Sequence, residues 1–360
     1  MLVAVLGAGI MGASIAIHLA RNEVTVLLFD DAGAGSGATR PSFDCLDFFT
    51  GATSDDMRFR SEALHYQALC AGQIGLADAV RKTGTLRWST KLRQNRKLIQ
   101  AARMAEALGR TVEYLSRNDA LILEPNLSIV GCPEVIVRVP QEGWLDSVRF
   151  TKRLIDIAVD TRLTHCIFEK CKRMEPLNHG VELWTDRTSY FVDAVVLAGS
   201  GGISLLLEEF ACAPLANEML EVLTLLRYIG PPIKHVVFAN HTHFRANEHS
   251  LVIRNAFDRA GIRDPGVAIR AAGESVSSVR RELKEVRFED FFSVQIGSRP
   301  VSEDGYPIVG RLPGLPRMFV AVTQAGITLA PYIALLLSKE IAEDASCKAL
   351  DPFRPDRFIW

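Results

Sequence analysis

A glycine signature at the amino terminus constrains this chain more than any other stretch. Leu2 to Asp30, LVAVLGAGIMGASIAIHLARNEVTVLLFD, reads as a strand, a glycine-bearing turn, a helix and a second strand ending in an acid. Gly7, Gly9 and Gly12 form G-x-G-x-x-G, and Asp30 lies eighteen residues beyond Gly12. In a dinucleotide-binding βαβ unit the first glycine makes a tight turn and the second lets backbone approach a pyrophosphate. The third lets the helix pack on the strand. Ile10 and Met11 open the helix, whose free N–H groups would face the phosphates, and Asp30 would accept from a ribose hydroxyl. This unit alone admits either NAD(P) or FAD.

The 360 residues accommodate two domains or one large core. With 41 basic against 42 acidic residues, nothing global points to nucleic acid or to an anionic membrane surface. The local basic run Lys91, Arg93, Arg96, Lys97 reads as a solvated helix face. Seven cysteines at irregular spacing, without C-x-x-C, suggest neither a disulfide framework nor a zinc site, and no metal is expected. Residues 1–20 and 326–337 are apolar. The first is accounted for as strand plus buried helix; the second holds an early proline and is too short to span a bilayer comfortably. The expectation is a soluble, cytoplasmic protein without membrane insertion.

After Asp30 and Asp31 comes a small-residue loop, AGAGSGATRPSF (32–43), holding Ser36, Thr39, Arg40, Pro41 and Ser42. Such a loop can pass close beneath a flat or charged group. Apolar spacing predicts helices over 55–83, 92–107 and 148–160, the last capped by Asp146 or Ser147. VDAVVLAGSGG (192–202) reads as a buried parallel strand meeting a ligand at its carboxyl end. From 218 to 256, EVLTLLRYI, KHVVFA, HFRA and HSLVIR suggest an antiparallel sheet with one face available. A helix over 267–285 and a strand over 291–297 follow. GSRPVSEDGYPIVGR, the strand RMFVAVT, and the helix QAGITLAPYIALLLSKEIA close the chain, the helix tolerating Pro331 in its first turn.

Taken together, these segments resemble the FAD-dependent D-amino-acid oxidase superfamily, on its glycine oxidase and sarcosine oxidase side. The resemblance runs nearly end to end: VAVLGAGIMGASIAIHLA, TGTL, LEPNL, EGWLD, VVLAGSGG, and above all SRPVSEDGYPIVGR with GITLAP. It implies an α/β chain (α+β overall), with an FAD-binding Rossmann-like βαβ domain interleaved with a substrate domain on an antiparallel sheet. The first would comprise 1–85, 144–215 and 298–360; the second, 86–143 and 216–297.

Carried over residue by residue, the resemblance gives Gly7, Gly9 and Gly12 to the FAD pyrophosphate and Asp30 to the adenosine ribose. Thr39, Arg40 and their neighbours would lie along the pyrophosphate and isoalloxazine. Cys171 stands where the family usually has a valine whose backbone contacts adenine. Ala198 and Gly199 would line the phosphate side, while Gly326, Ile327 and Thr328 would present N–H groups to the flavin N1/C2 edge. Arg299 matches the arginine that binds the substrate carboxylate; the alternative is a structural ion pair with Asp304 or Glu303. Tyr228, His241, His243, Arg245 and Arg254 are candidates to close the pocket, Arg245 first.

Three departures bear on the substrate: Ser200 in place of glycine, Gln324 where histidine or arginine is usual, and the loop with Phe43, Asp44, Phe48 and Phe49. The implied reaction is oxidative deamination of a small or N-substituted amino acid. Hydride would pass from Cα–H to flavin N5, the imine would hydrolyse, and O2 would return as H2O2. A dehydrogenase using another acceptor, an NAD(P) enzyme and a non-catalytic FAD carrier are the alternatives. With no cysteine in 297–311 and no histidine in 32–44, FAD is expected to be non-covalent. Acid precipitation of the yellow protein should leave the colour in the supernatant; a coloured pellet would contradict this.

Overall fold

A computed structural model describes residues 1–131, 133–199, 206, 215–240, 242–247, 250–256, 265–287 and 290–358. Its first sheet has six strands in the order Ile308–Leu312, Leu315–Val322, Ala194–Leu197, Leu2–Leu6, Thr25–Phe29, Thr164–Ile167. All neighbours are parallel except the outer hairpin Ile308–Leu312/Leu315–Val322. Leu2–Leu6 is apolar throughout because both its faces are covered. Val3 and Val5 pack with the helices Ile10–Arg21, Ser147–Asp160 and Gly326–Glu343. Ala4 and Leu6 point the other way, onto the small sheet of Arg173–Leu177, Gly180–Trp184 and Ser189–Val192.

The second sheet has eight strands: Phe291–Ser302, Leu215–Arg227, Ser250–Ala256, Thr242–Asn247, Val236–Ala239, Thr85–Trp88, Ile136–Val139, Glu113–Leu115. It is antiparallel apart from the Val236–Ala239/Thr85–Trp88 pair. The helix Pro265–Glu282 covers one face, burying Val276 and Val279 against Phe244, Ile253 and Leu226. The opposite face looks toward the glycine turn.

Several boundaries differ from the sequence reading. The helix expected over 55–83 is Ser54–Gln73, capped by Thr53, whose hydroxyl accepts from the Asp56 N–H. It ends because Gly75 turns at φ +72, after which Val80–Arg81 pairs with Gly143–Leu145. The strand expected over 291–297 continues to Ser302 and so carries Arg299. Pro331 is the sixth residue of Gly326–Glu343 rather than part of its first turn, so it gives the Ile327 carbonyl no helical hydrogen bond. Among the described residues no helix is long and apolar enough to cross a membrane.

His18 sits inside Ile10–Arg21, 4% exposed, with Nε2 3.3 Å from the Tyr66 hydroxyl. Burial, assisted by Arg21, pushes its pKa down to about 4. The unfolded chain therefore takes up this proton near pH 6.5 and the folded chain only near 4. Stability is full above pH 6.5 and is lost as pH falls through that window, by up to about 1.4 kcal/mol per pH unit for one proton. His18→Gln should flatten the fall in melting temperature between pH 6.5 and 4.5; parallel curves for the two proteins would exclude this origin.

Candidate active site

A cavity of about 930 Å³ runs from the glycine turn to the free face of the large sheet. That is near the upper end of small-molecule sites, as a dinucleotide requires. Its first end is made by backbone. Gly7 adopts φ +109, and a Cβ there would fall 2.7 Å from Gly199 Cα; at Gly12 a Cβ would fall 1.7 Å from the Gly7 carbonyl oxygen. Neither position admits a side chain, so strand, turn and helix close up and the backbone of Gly7 and Gly9 itself lines the cavity. Thr39 Oγ1 accepts the Ile10 N–H at 3.0 Å and thereby ties the small-residue loop to the helix start. Asp30 Oδ2 accepts from Ala8 N (2.8 Å), and Oδ1 from Ala32 N (2.9 Å) and Gly33 N (2.8 Å). A carboxylate has about four acceptor positions, which leaves about one for a ribose hydroxyl.

The structure brings most of the expected cofactor residues to this cavity: Gly7, Gly9, Ile10, Met11, Asp30 and Asp31 at the turn, and Ser36, Thr39 and Ser42 in the loop. Cys171, Ala198 and Gly199 line it too, and Gln324, Gly326, Ile327 and Thr328 form its far wall. Three stand elsewhere. Gly12 lies beneath the turn, Arg40 is exposed, and Pro41 packs its carbonyl against Gly297. Ser200 and His241 lie outside the described residues. Cys45 also lines the cavity, one residue beyond the 32–44 loop that holds no histidine.

At the large sheet the register decides which side chains face in. Arg87, Phe238, His243, Arg254 and Leu223 stand opposite one another on five consecutive strands, and the first four line the cavity. Two residues along from Leu223, buried Glu221 pairs with both Arg254 and Arg299. Arg299 Nε donates to Glu221 Oε2 at 2.7 Å. One carboxylate thus aligns two guanidinia and leaves one positive charge uncompensated. Asp304 is not the partner of Arg299, since it pairs with Arg357 at 2.7 Å. Burial, followed by Arg254 and Arg87, pushes His243 down to about 3, so its ring is neutral at working pH.

Residues 3–340 match the DAO family of FAD-dependent oxidoreductases. The chain belongs to this family. It is 22% identical to the glycine oxidase of Geobacillus kaustophilus (strain HTA426), over 99% of this chain and 97% of that one. The crystal structure of glycine oxidase from G. kaustophilus superposes with a TM-score of 0.85 at 21% identity, covering 99% of each chain. L-proline dehydrogenase from P. horikoshii does so with 0.84 at 16% identity, over 99% of this chain and 97% of that one. As in the DAO fold, a parallel Rossmann-like sheet is joined to a largely antiparallel one.

Within this DAO-family frame, two expected pocket residues are corrected. Tyr228 has the parity of Leu226, on the face covered by Pro265–Glu282. Its hydroxyl donates to the Pro231 carbonyl at 2.9 Å, and it does not line the cavity. Arg245 is on the inward face but is roofed by the loop: Nε donates to the Phe43 carbonyl and Nη2 to Asp44 Oδ2, each at 2.8 Å. Its guanidinium lies 4.4 Å over the Trp144 ring. Burial pushes Asp44 up to about 7, against the pull of Arg245.

Four residues escaped the sequence reading: Arg87, Glu142, Asp47 and Glu221. An arginine between apolar neighbours in TLRW was the available signal for Arg87. Its guanidinium lies 3.9 Å over Phe238 and donates to Glu142 Oε2 at 2.8 Å. No cluster of metal-ligating side chains occurs among the described residues. Arg245→Gln removes the loop's buried partner and should cost about 3–5 kcal/mol of stability. Urea unfolding measures this, and a loss below about 1 kcal/mol would mean that the loop is held elsewhere.

Proposed function

We propose that this enzyme is a glycine oxidase-like oxidase of a small or N-substituted amino acid, with FAD held non-covalently. The parallel-sheet part, 1–85, 144–215 and 298–360, would grip the cofactor. Residues 86–143 and 216–297 would supply the substrate face. The observation that carries this reading is the pair Arg254 and Arg299, aligned by Glu221 and opening on the same cavity as the glycine turn and Gly326.

When bound, FAD would accept hydride from the substrate Cα–H and return electrons to O2 as H2O2, the released imine hydrolysing. The chain's own contribution is orientation and electrostatics. A guanidinium fork takes a carboxylate bidentately through charge-assisted bonds. Glu221 fixes both forks, so little side-chain entropy is lost when the anion arrives. Because Glu221 neutralises only one of the two, a monocarboxylate completes the charge balance. Neutral His243 and Phe238 form the wall beside that anion without competing for it. The helix Gly326–Glu343 begins at the cavity, where its N-terminal dipole favours negative charge on the cofactor edge. Gln324, whose Nε2 donates to the Gly305 carbonyl at 3.2 Å, supports the approach to that helix.

Anaerobic mixing with a panel of amines and amino acids should bleach the flavin band for at least one amino acid, and air should restore it with release of H2O2. Restoration only by an added acceptor would make the enzyme a dehydrogenase, and no bleaching by any amine would end the reading. Arg299→Ala and Arg254→Ala should each raise KM by about 10- to 150-fold, the equivalent of one lost charged hydrogen bond of about 1.5–3 kcal/mol. Unchanged KM in both would remove the carboxylate clamp.

A further inference from the structure

The cavity holds a second charged centre, of opposite sign, that the carboxylate clamp does not use. Asp47 belongs to the loop between the two sheets and lines the cavity with its side chain 13% exposed. Its backbone N–H donates to Thr328 Oγ1 at 3.2 Å, and its Oδ1 accepts from the Thr50 hydroxyl. Oδ2 lies 4.0 Å from Arg87 Nη2, too far for a hydrogen bond, and no other hydrogen bond reaches it among the described residues. The Arg87 guanidinium is turned instead onto Glu142 at 2.8 Å. One acceptor oxygen of a fixed carboxylate is therefore left facing the cavity.

The charge state of this centre follows from its partners. Burial alone would raise the Asp47 pKa, but Arg87 and Arg60 outweigh it and hold the carboxyl below its usual range, so Asp47 is ionised. Arg60 is matched by Asp56 at 3.0 Å, and Arg87 by Glu142. Glu142 takes four donors on its two oxygens, which leaves no oxygen in need of a proton. With Arg60 matched by Asp56 and Arg87 by Glu142, Asp47 is the carboxylate of this group whose oxygen is free. The Glu221 end carries one net positive charge. Along the register Arg87, Phe238, His243, Arg254 the histidine stands between the two ends. At the backbone, Arg87 and Arg254 are three strand spacings apart, about 14 Å, and their long side chains narrow that span.

We infer that Asp47 is the residue that receives the amino group of the substrate, so that the cavity recognises a zwitterion from both ends: carboxylate on Arg254 and Arg299, ammonium on Asp47 Oδ2, to which the ammonium yields the proton that must leave before Cα–H is lost as hydride and the nitrogen lone pair forms the C=N bond. This rests on the amino-acid reading above and deepens it. It makes the enzyme selective for amino acids over plain carboxylic acids of the same shape. It also favours primary and secondary amines, which keep an N–H for Oδ2 after binding, over quaternary ones, which have none.

The test separates the two anchors with a pair of ligands, read from the shift of the bound flavin's absorption spectrum. 2-Aminoisobutyrate has no Cα–H to lose, and isobutyrate is the same acid without the amino group. In the wild type, 2-aminoisobutyrate should bind at least tenfold more tightly than isobutyrate. Asp47→Asn, which retains the side-chain shape, should bring the two within about threefold by weakening the amino acid and leaving isobutyrate nearly unchanged. Equal wild-type affinities overturn the inference without any variant, and so does a preference that survives Asp47→Asn. If isobutyrate binds in an Arg299-dependent way with no preference for the amine, the carboxylate clamp stands and the role of Asp47 falls. If neither ligand perturbs the wild-type flavin, both fall together.

Discussion

The join between the loop and the large sheet depends on one fully buried carboxylate, Glu142. Its Oε1 accepts the Phe48 and Phe49 N–H groups, each at 2.8 Å, and its Oε2 accepts the Thr85 hydroxyl at 2.6 Å and Arg87 Nη2 at 2.8 Å. An isolated buried carboxylate costs several kcal/mol, and burial indeed pushes Glu142 up from its ordinary range. Four donors, one of them a guanidinium, offset that cost, and in doing so they fix the geometry. Replacing Glu142 by an apolar residue would strand two backbone donors and a buried arginine together, which makes it a tie with no cheap substitute.

That tie sets the cavity's polarity. Arg87 is held flat on Phe238 and Phe49, its fork spent on Glu142 rather than on Asp47. Arg245 and Asp44 do the same for the front of the loop, with Asp44 in the left-handed region at φ +60. The loop is therefore anchored at both ends by side chains whose polar groups are taken up by one another, Arg87 with Glu142 and Arg245 with Asp44. Asp47 on one side and the Glu221-aligned Arg254 and Arg299 on the other line the cavity with polar atoms left over. Each is presented by a neighbour that is itself locked, which is how a site of long, flexible side chains becomes preorganised.

What the sequence conveyed and what it hid divide along a physical line. Gly7, Gly9, Gly12, Asp30 and the strand before Gly326 were readable because backbone geometry allows few residues there, and a local pattern records the restriction. The inward face of the large sheet was not. Tyr228 and Arg245 were reasonable by type. The first lost its place to parity, beside a register shift at Leu225/Leu226, and the second to a roof supplied by Phe43 and Asp44, about two hundred residues earlier in the chain. Arg299 was readable as a cation, whereas its counter-ion Glu221 lies 78 residues away on the neighbouring strand. Alternation gives a face only once the register is known, and long-range pairing sets the register.

The same division explains why likeness to known proteins reaches only so far. The cofactor end is made by backbone N–H groups and glycine contacts, so it survives as long as the fold does, and a TM-score of 0.85 at 21% identity is the expected outcome. The substrate end is made by side chains on a sheet whose fold tolerates many alternatives at each inward position. Asp47 illustrates this: its backbone N–H is tied to Thr328 at the start of the helix Gly326–Glu343, while its side chain lines the cavity. Backbone and side chain of one residue thus serve two partners. Only the first is required by the fold, so under the inference drawn for Asp47 a change of side chain there alters amine recognition while the backbone tie to Thr328 stays.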